Sequence, residues 1–277
     1  MKNIICKNCG AKYRLGNRDI HEFKCSECGE NLKPTPRAKR SYKSKRKLVK
    51  NHQYYAERRV INFAIAMLAG VIIALIGLFI LFITGEYIAL GLVGAGGLLF
   101  IKASKKRKIW KKGVRGERKV ARYLNTLPQR FFVFNDVTLP NIKGNIDHIV
   151  VGPTGVFAIE TKNYLGRFQL TGDDLQIIKK GSLRPLHSNP CRQSRYNATR
   201  LSKYISAHNI SRIRVRPVVT FINKKVDIKR DPLNYDFTYY DTLTDFILNQ
   251  RATMDYDKVK ACASLLMKYA AEYSFFE

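Results

Sequence analysis

The sequence predicts an α/β fold carrying two additions, a small zinc ribbon and a two-helix transmembrane hairpin. Three observations lead there. From residue 113 onward, strand-like and helix-like hydrophobic patterns alternate. Ile61–Ile83 is a long run without a charged residue, and four of the six cysteines form two CxxC pairs within the first 32 residues. The chain has 277 residues and a formal net charge of +29, from 50 Lys+Arg against 21 Asp+Glu. That charge excludes an ordinary near-neutral cytosolic enzyme. A content of 45% hydrophobic and 11% aromatic residues excludes a disordered basic tail. So large a charge points to a polyanion or an anionic membrane surface.

The charge is not spread evenly. Residues 33–59 carry a net +10 and residues 102–119 a net +9, while residues 60–101 contain one charged residue, Glu86. The two clusters therefore bracket the apolar zone. About 20 apolar residues cross a bilayer core, so 61–83 reads as a transmembrane helix, with a buried core helix as the alternative. Thr84-Gly85-Glu86 then reads as a turn, and 87–101 as a second, shorter span rich in Gly. Basic residues stay on the cytoplasmic side. A single span would send one cluster across, whereas two spans keep both inside. The expectation is an integral protein of the plasma or inner membrane with both termini cytoplasmic. Gly91, Gly94, Gly96 and Gly97 are expected to let the two helices pack closely. A re-entrant or interfacial segment is the alternative for 87–101.

Cys6-Lys7-Asn8-Cys9 and Cys25-Ser26-Glu27-Cys28 are each followed by Gly. Two such knuckles at this separation are the pattern of a structural Zn site with four thiolate ligands. Disulfides or a redox CxxC are the alternatives, disfavoured if this end is cytosolic. Residues 1–32 thus read as a zinc ribbon able to recruit a protein partner, and 33–59 as a basic linker. Residues 102–112 read as a basic juxtamembrane segment, and 113–277 as the α/β domain.

Within that domain 113–126 has helical spacing. Strands follow at 130–139, 146–151 and 156–163, a helix at 192–207, strands at 214–222 and 237–240, and helices at 243–250 and 256–273. Along the strand 156–162, Ala158, Glu160 and Lys162 share one face and Phe157, Ile159 and Thr161 the other. The turn Pro153-Thr154-Gly155 would fold the strand holding Asp147 alongside. Asp plus Glu-x-Lys on adjacent strands is the arrangement of metal-dependent nucleases. Two carboxylates supply hard oxygen ligands for Mg²⁺ or Mn²⁺, and a lysine can position water and offset developing phosphorane charge. By spacing alone a solvated strand edge explains the same residues.

Three segments in order, GVRGERKVARYL, GNIDHIVVGPTGVFAIETKNY and NPCRQSRYNATRL, resemble the NERD (nuclease-related domain) family of the PD-(D/E)xK restriction-endonuclease-like superfamily. The resemblance covers about Gly113 to Gln193. It implies a restriction-endonuclease-like mixed sheet flanked by helices and catalytic roles for Asp147, Glu160 and Lys162, with Mg at Asp147 and Glu160. It also places Glu117 of the first helix and Gln193 of a later helix at the cleft. Glu117 can equally pair with nearby Arg or Lys, and Gln193 can equally solvate or cap its helix. His148 should face away from Asp147. The implied function is hydrolysis of phosphodiester bonds in DNA on the cytoplasmic side of a membrane. The alternative is a catalytically inactive nucleic-acid-binding or scaffolding protein there.

Overall fold

The computed structural model describes residues 2–5, 12–15, 23–24, 28, 31–32, 46–140, 144–186, 189–210, 213–230 and 234–276. The chain divides into two units, Met1–Ser44 and Lys45–Glu277. The first contains two antiparallel pairs, β1 (Lys2–Ile5) with β2 (Lys12–Leu15), and β3 (Phe23–Lys24) with β4 (Asn31–Leu32). Of the proposed zinc ligands, Cys6, Cys9 and Cys25 lie outside the described residues. Cys28 is an exposed turn residue.

The second unit runs β5 (Arg46–Lys50), α1 (Tyr55–Thr84), a single 3₁₀ turn at Tyr87–Ala89, α2 (Leu90–Leu124), β6 (Phe132–Val137), β7 (Ile146–Gly152) and β8 (Gly155–Lys162). It continues with β9 (Arg167–Thr171), β10 (Asp174–Lys179), β11 (Ser182–Pro185), α3 (Pro190–Ala207), β12 (Val215–Phe221) and β13 (Val226–Arg230). It ends with β14 (Asp236–Tyr239), α4 (Leu243–Leu248), α5 (Tyr256–Met267) and β15 (Ala270–Phe276).

A seven-stranded mixed sheet, ordered β14-β12-β8-β7-β6-β15-β5, is the frame. β12 runs parallel to β8 and β14, and the other neighbours pair antiparallel. Alternation along the central strands serves both faces. Val133, Val150, Phe157 and Ile159 pack with Val120 and Leu124 of α2 and Leu243 and Ile247 of α4. Phe134, Ile149, Val151 and Ala158 pack with Leu201 and Ile205 of α3 and Val259 and Leu266 of α5. A smaller sheet, β11-β10-β9-β13, adds a third cluster around Phe168, Leu170 and Phe221. The result is the expected mixed α/β sheet with helices on both faces.

α1 and α2 form an antiparallel pair, and both are long and apolar enough to cross a membrane. Their closest approach is at Gly70 and Gly96. A Cβ on Gly70 would stand 2.8 Å from Gly96 O, and one on Gly96 would collide with Gly70 O. Only a residue without a side chain permits that backbone contact. Gly77 plays a similar part against Ala89 and Leu92. Gly91, Gly94 and Gly97, expected at the same seam, have open space at their Cβ positions and face away from α1.

Three stretches differ from the sequence expectation. The helix expected through residue 273 stops at Met267, and Ala270–Phe276 is a strand between β6 and β5. Backbone pairing on both sides outweighs the helical leaning of Ala270 and Ala271. Arg46–Lys50, inside the expected linker, is an edge strand on β15. Lysines and arginines are common on edge strands, because they discourage further pairing, so the segment reads as linker by composition. Arg46 is nevertheless structural. Its guanidinium donates to Leu127 O at 2.8 Å, Phe131 O at 2.7 Å and Ser274 Oγ at 2.9 Å, and burial lowers its pKa to about 10. Finally, residues 102–112 are not a separate segment. α2 runs without interruption from its apolar half into the helix bearing Glu117.

Candidate functional site

The site forms where β7, β8, α2 and α3 meet. In the β7–β8 hairpin His148 pairs with Ile159, which brings Asp147 alongside the end of β8. The Thr161 N–H donates to Asp147 Oδ2 at 2.8 Å and fixes that carboxylate. Glu160 and Lys162, on one face of β8, bond directly: Lys162 Nζ donates to Glu160 Oε1 at 2.5 Å. Lys162 Nζ also donates to Gln193 Oε1 at 3.3 Å. Asn197, one turn further along α3, donates through Nδ2 to Glu160 Oε2 at 3.3 Å. Its position four residues after Gln193 puts both amides on one helix face. That spacing was the available signal for Asn197, and it went unread because a lone Asn in a polar helix is uninformative.

α2 is held against this hairpin by a contact that needs glycine. Gly116 lies so close to Asn163 that an added Cβ would stand 2.9 Å from Asn163 Cβ, and Asn163 Nδ2 donates to Lys112 O at 2.9 Å. The close approach carries the next residue, Glu117, to the cleft. A second tie comes from Asp136. Its carboxylate accepts the Tyr55 N–H at the start of α1 and the Asn145 side-chain amide at 2.6 Å, two residues before Asp147. Both helices of the hairpin are therefore anchored within two residues of a predicted site residue or its immediate neighbour.

The electrostatics follow from three carboxylates and one ammonium in a dehydrated place. Burial, then repulsion from Asp136 and Glu160, raises Glu117 to about 7, against attraction from Lys162. Burial, then Glu160 and Glu117, pushes Asp147 well above its ordinary value. Burial also raises Glu160, while its ion pair with Lys162 opposes the shift. Burial alone would lower Lys162, but Glu160 and Asp147 outweigh it and hold the ammonium above its ordinary value. Three carboxylates crowded around one lysine thus favour taking up a proton or a cation over full ionisation.

Glu117, Asp147, Glu160, Lys162 and Gln193 all line one cavity of about 980 Å³. Every residue singled out for the nuclease-like site is thus brought together. His148 points elsewhere, as expected: it is fully buried, its Nδ1 meets Asn135 Oδ1 at 2.7 Å, and burial lowers its pKa to about 3. The unforeseen part of the cavity comes from the hairpin, which contributes Tyr55, Lys105, Lys108, Ile109, Trp110 and Lys112.

The donor set fits a small hard cation. Among the described residues no group of three or more His, Cys, Asp or Glu stands close enough to enclose an ion. Mg²⁺ does not need such a cage. It keeps several waters and is held by one or two carboxylates together with substrate phosphate. Asp147 and Glu160 are two such carboxylates, and the burial and mutual repulsion that raise their pKa values would be relieved by a cation.

Comparison with known proteins agrees with this geometry. Residues 112–222 match the family model of the nuclease-related domain. An uncharacterized protein of Bacillus anthracis is 48% identical over 59 residues, which covers 20% of this chain and 28% of that protein. The chain thus spans less than a third of that relative's length. No solved structure matches the chain. The matched interval contains α2's Glu117, the β7–β8 hairpin and α3. The stretch 112–222 is thus a region similar to the nuclease-related domain.

Proposed function

We propose that this protein is a metal-dependent phosphodiesterase of the PD-(D/E)xK type. It would cleave DNA on the cytoplasmic side of the membrane that its helical hairpin spans. The observation that carries the reading is the meeting of Asp147, Glu160 and Lys162 at one end of a β-hairpin, with Lys162 in contact with both Glu160 and Gln193. Asp147 and Glu160 would hold Mg²⁺ or Mn²⁺, which when bound polarises the scissile phosphate and lowers the pKa of a coordinated water. Lys162 would orient the attacking water and offset charge building on the phosphorus oxygens. Gln193 keeps the ammonium aimed, and Asn197 does the same for Glu160. Glu117, poised near neutrality, would take part in the proton traffic of the cleft or steady metal-bound water.

The membrane reading is supported by the outward position of the hairpin's large apolar side chains, and by the basic clusters that flank it in sequence. Zinc at Cys6, Cys9, Cys25 and Cys28 is supported by the spacing of the two CxxC pairs. The first lies between β1 and β2 in sequence and the second between β3 and β4. Such a ribbon is a surface for a protein partner.

The test uses the full chain in detergent or nanodiscs, because a fragment starting at residue 102 would lack β5 and the tie between Asp136 and α1. With Mg²⁺ it should cleave DNA. Asp147→Ala and Lys162→Ala should each lower the rate by about a hundredfold or more. Binding of DNA without cleavage under any divalent metal would assign the scaffolding role instead.

A further inference from the structure

We propose that the cleft takes a single, unpaired strand of nucleic acid, with α2 tracking its backbone and the β8–β9 connection receiving its bases. This deepens the phosphodiesterase reading and rests on it. The first observation is a lysine track. Lys105, Lys108 and Lys112 line the same cavity as the carboxylates. Their spacing of three and four residues puts them on one face of α2, and Glu117, from a neighbouring turn and another face, lines the same cavity. At ~1.5 Å per residue, Lys105 to Glu117 spans about 18 Å, enough for a few successive phosphates. None of the three makes an ion pair with a described residue.

The second observation is the opposite wall. Tyr164 and Leu165 come two and three residues after Lys162 and line the cavity, while Ile109 and Trp110 stand among the lysines on α2. Leu165 is 75% exposed and Ile109 71% exposed. Positive charge on one side with aromatic and apolar side chains on the other is how a protein grips an unpaired strand, because every exposed base offers a flat face for stacking. A duplex keeps its bases within its own stack and cannot use such a wall beside the scissile phosphate.

A lipid phosphodiester would also fit an apolar wall near a membrane, but distance disfavours it. α2 is unbroken, so Glu117 stands 16 residues past Ile101, about 24 Å along the helix. The headgroup layer extends only about 6 Å beyond the hydrocarbon core on each side. A lipid would have to be drawn far out of its plane to reach the carboxylates.

Binding can be read apart from turnover. The full chain in nanodiscs, in EDTA, is titrated into a labelled 12-nucleotide single strand and into the same sequence as duplex, with fluorescence anisotropy as readout. The single strand should bind at least tenfold more tightly. Leu165→Ser should cost the single strand about fivefold and leave the duplex unchanged. Lys105→Glu with Lys108→Glu should weaken the single strand more than tenfold and flatten its salt dependence. These positions are exposed, so the variants should fold, which circular dichroism checks. Equal affinity for both forms, or indifference to both variants, would overturn the assignment. So would displacement of the strand by a short-chain anionic phospholipid at lower concentration than by unlabelled strand. A single-strand preference with no cleavage under any metal would leave the assignment standing and remove the enzymatic reading.

Discussion

The two halves of α2 obey the same helical geometry and bury opposite kinds of residue. In Leu90–Ile101 the large side chains point out: Leu90, Leu92, Leu98 and Ile101 are all exposed, and Gly96 is the buried position. In Lys102–Leu124 the lysines and arginines point out, while Val120 and Leu124 are fully buried against the sheet. The second half is an ordinary amphipathic helix in water. The first half is inverted, with small residues inside and bulk outside, which is the arrangement of helices solvated by lipid. On the proposed membrane reading, one helix would carry the boundary between two solvents along its length, with the candidate cleft on its basic half.

This contrast can be broken by removing bulk from each half. Leu124→Ala should destabilise the chain by about 2–5 kcal/mol, because it deletes a fully buried side chain and leaves a cavity. Leu98→Ala, by the same change in an outward side chain, should alter thermal unfolding in detergent by no more than ~0.5 kcal/mol. Equal losses would mean that Leu98 is packed against protein and that the inversion is false. Adding bulk sharpens the same contrast within the apolar half. Gly96→Leu forces a side chain into the Gly70 backbone and should cost about 1–3 kcal/mol of hairpin stability. Gly94→Leu meets open space and should be tolerated. Energy transfer between probes at the two helix ends would report the separation.

Sequence legibility followed the same division. The central strands, the hairpin turn and the Asp147, Glu160 and Lys162 grouping were readable because period-2 alternation and a short turn fix which residues meet. Apolar runs made the hairpin readable. What was not readable depended on partners distant in sequence. β5 resembles a solvated linker until β15 pairs with it, and Ala270–Tyr273 continues a helical pattern until β6 claims it. The small sheet of β9, β10, β11 and β13 lies in a stretch to which the sequence assigned no element. The four glycines in the apolar half of α2 look alike in sequence, yet only the helix rotation distinguishes Gly96 from Gly91, Gly94 and Gly97. Lys105 to Lys112 look like membrane-flanking charge, and only the folded chain reveals that Lys105, Lys108 and Lys112 line the same cavity as Glu117.

The helix starts extend the comparison to smaller effects. α1 has no side-chain cap of its own and borrows one from the sheet, through Asp136 and the Tyr55 N–H. Asp136→Ala leaves that N–H and the Asn145 amide without their acceptor. It should cost about 1–3 kcal/mol and loosen the seating of α1. α3, wholly in the water-facing domain, caps itself. Asn189 Oδ1 accepts the Cys191 N–H at 2.9 Å, and its Nδ2 donates to Asp173 O at 3.0 Å.

Asn189→Ala should therefore cost only about 1 kcal/mol. Pro190 follows at the first helical position, where its fixed φ already favours the helix and its missing N–H needs no partner. The loss should register as a lower unfolding midpoint. It should leave cleavage largely intact, because Gln193 and Asn197 sit one and two turns beyond the cap, and Ser194, Ala198 and Leu201 hold that part of the helix by burial. If Asn189→Ala instead abolished cleavage with little change in midpoint, the cap would be setting the angle at which α3 presents Gln193 to Lys162. The start of α3 would then be as much a part of the cleft as the start of α1.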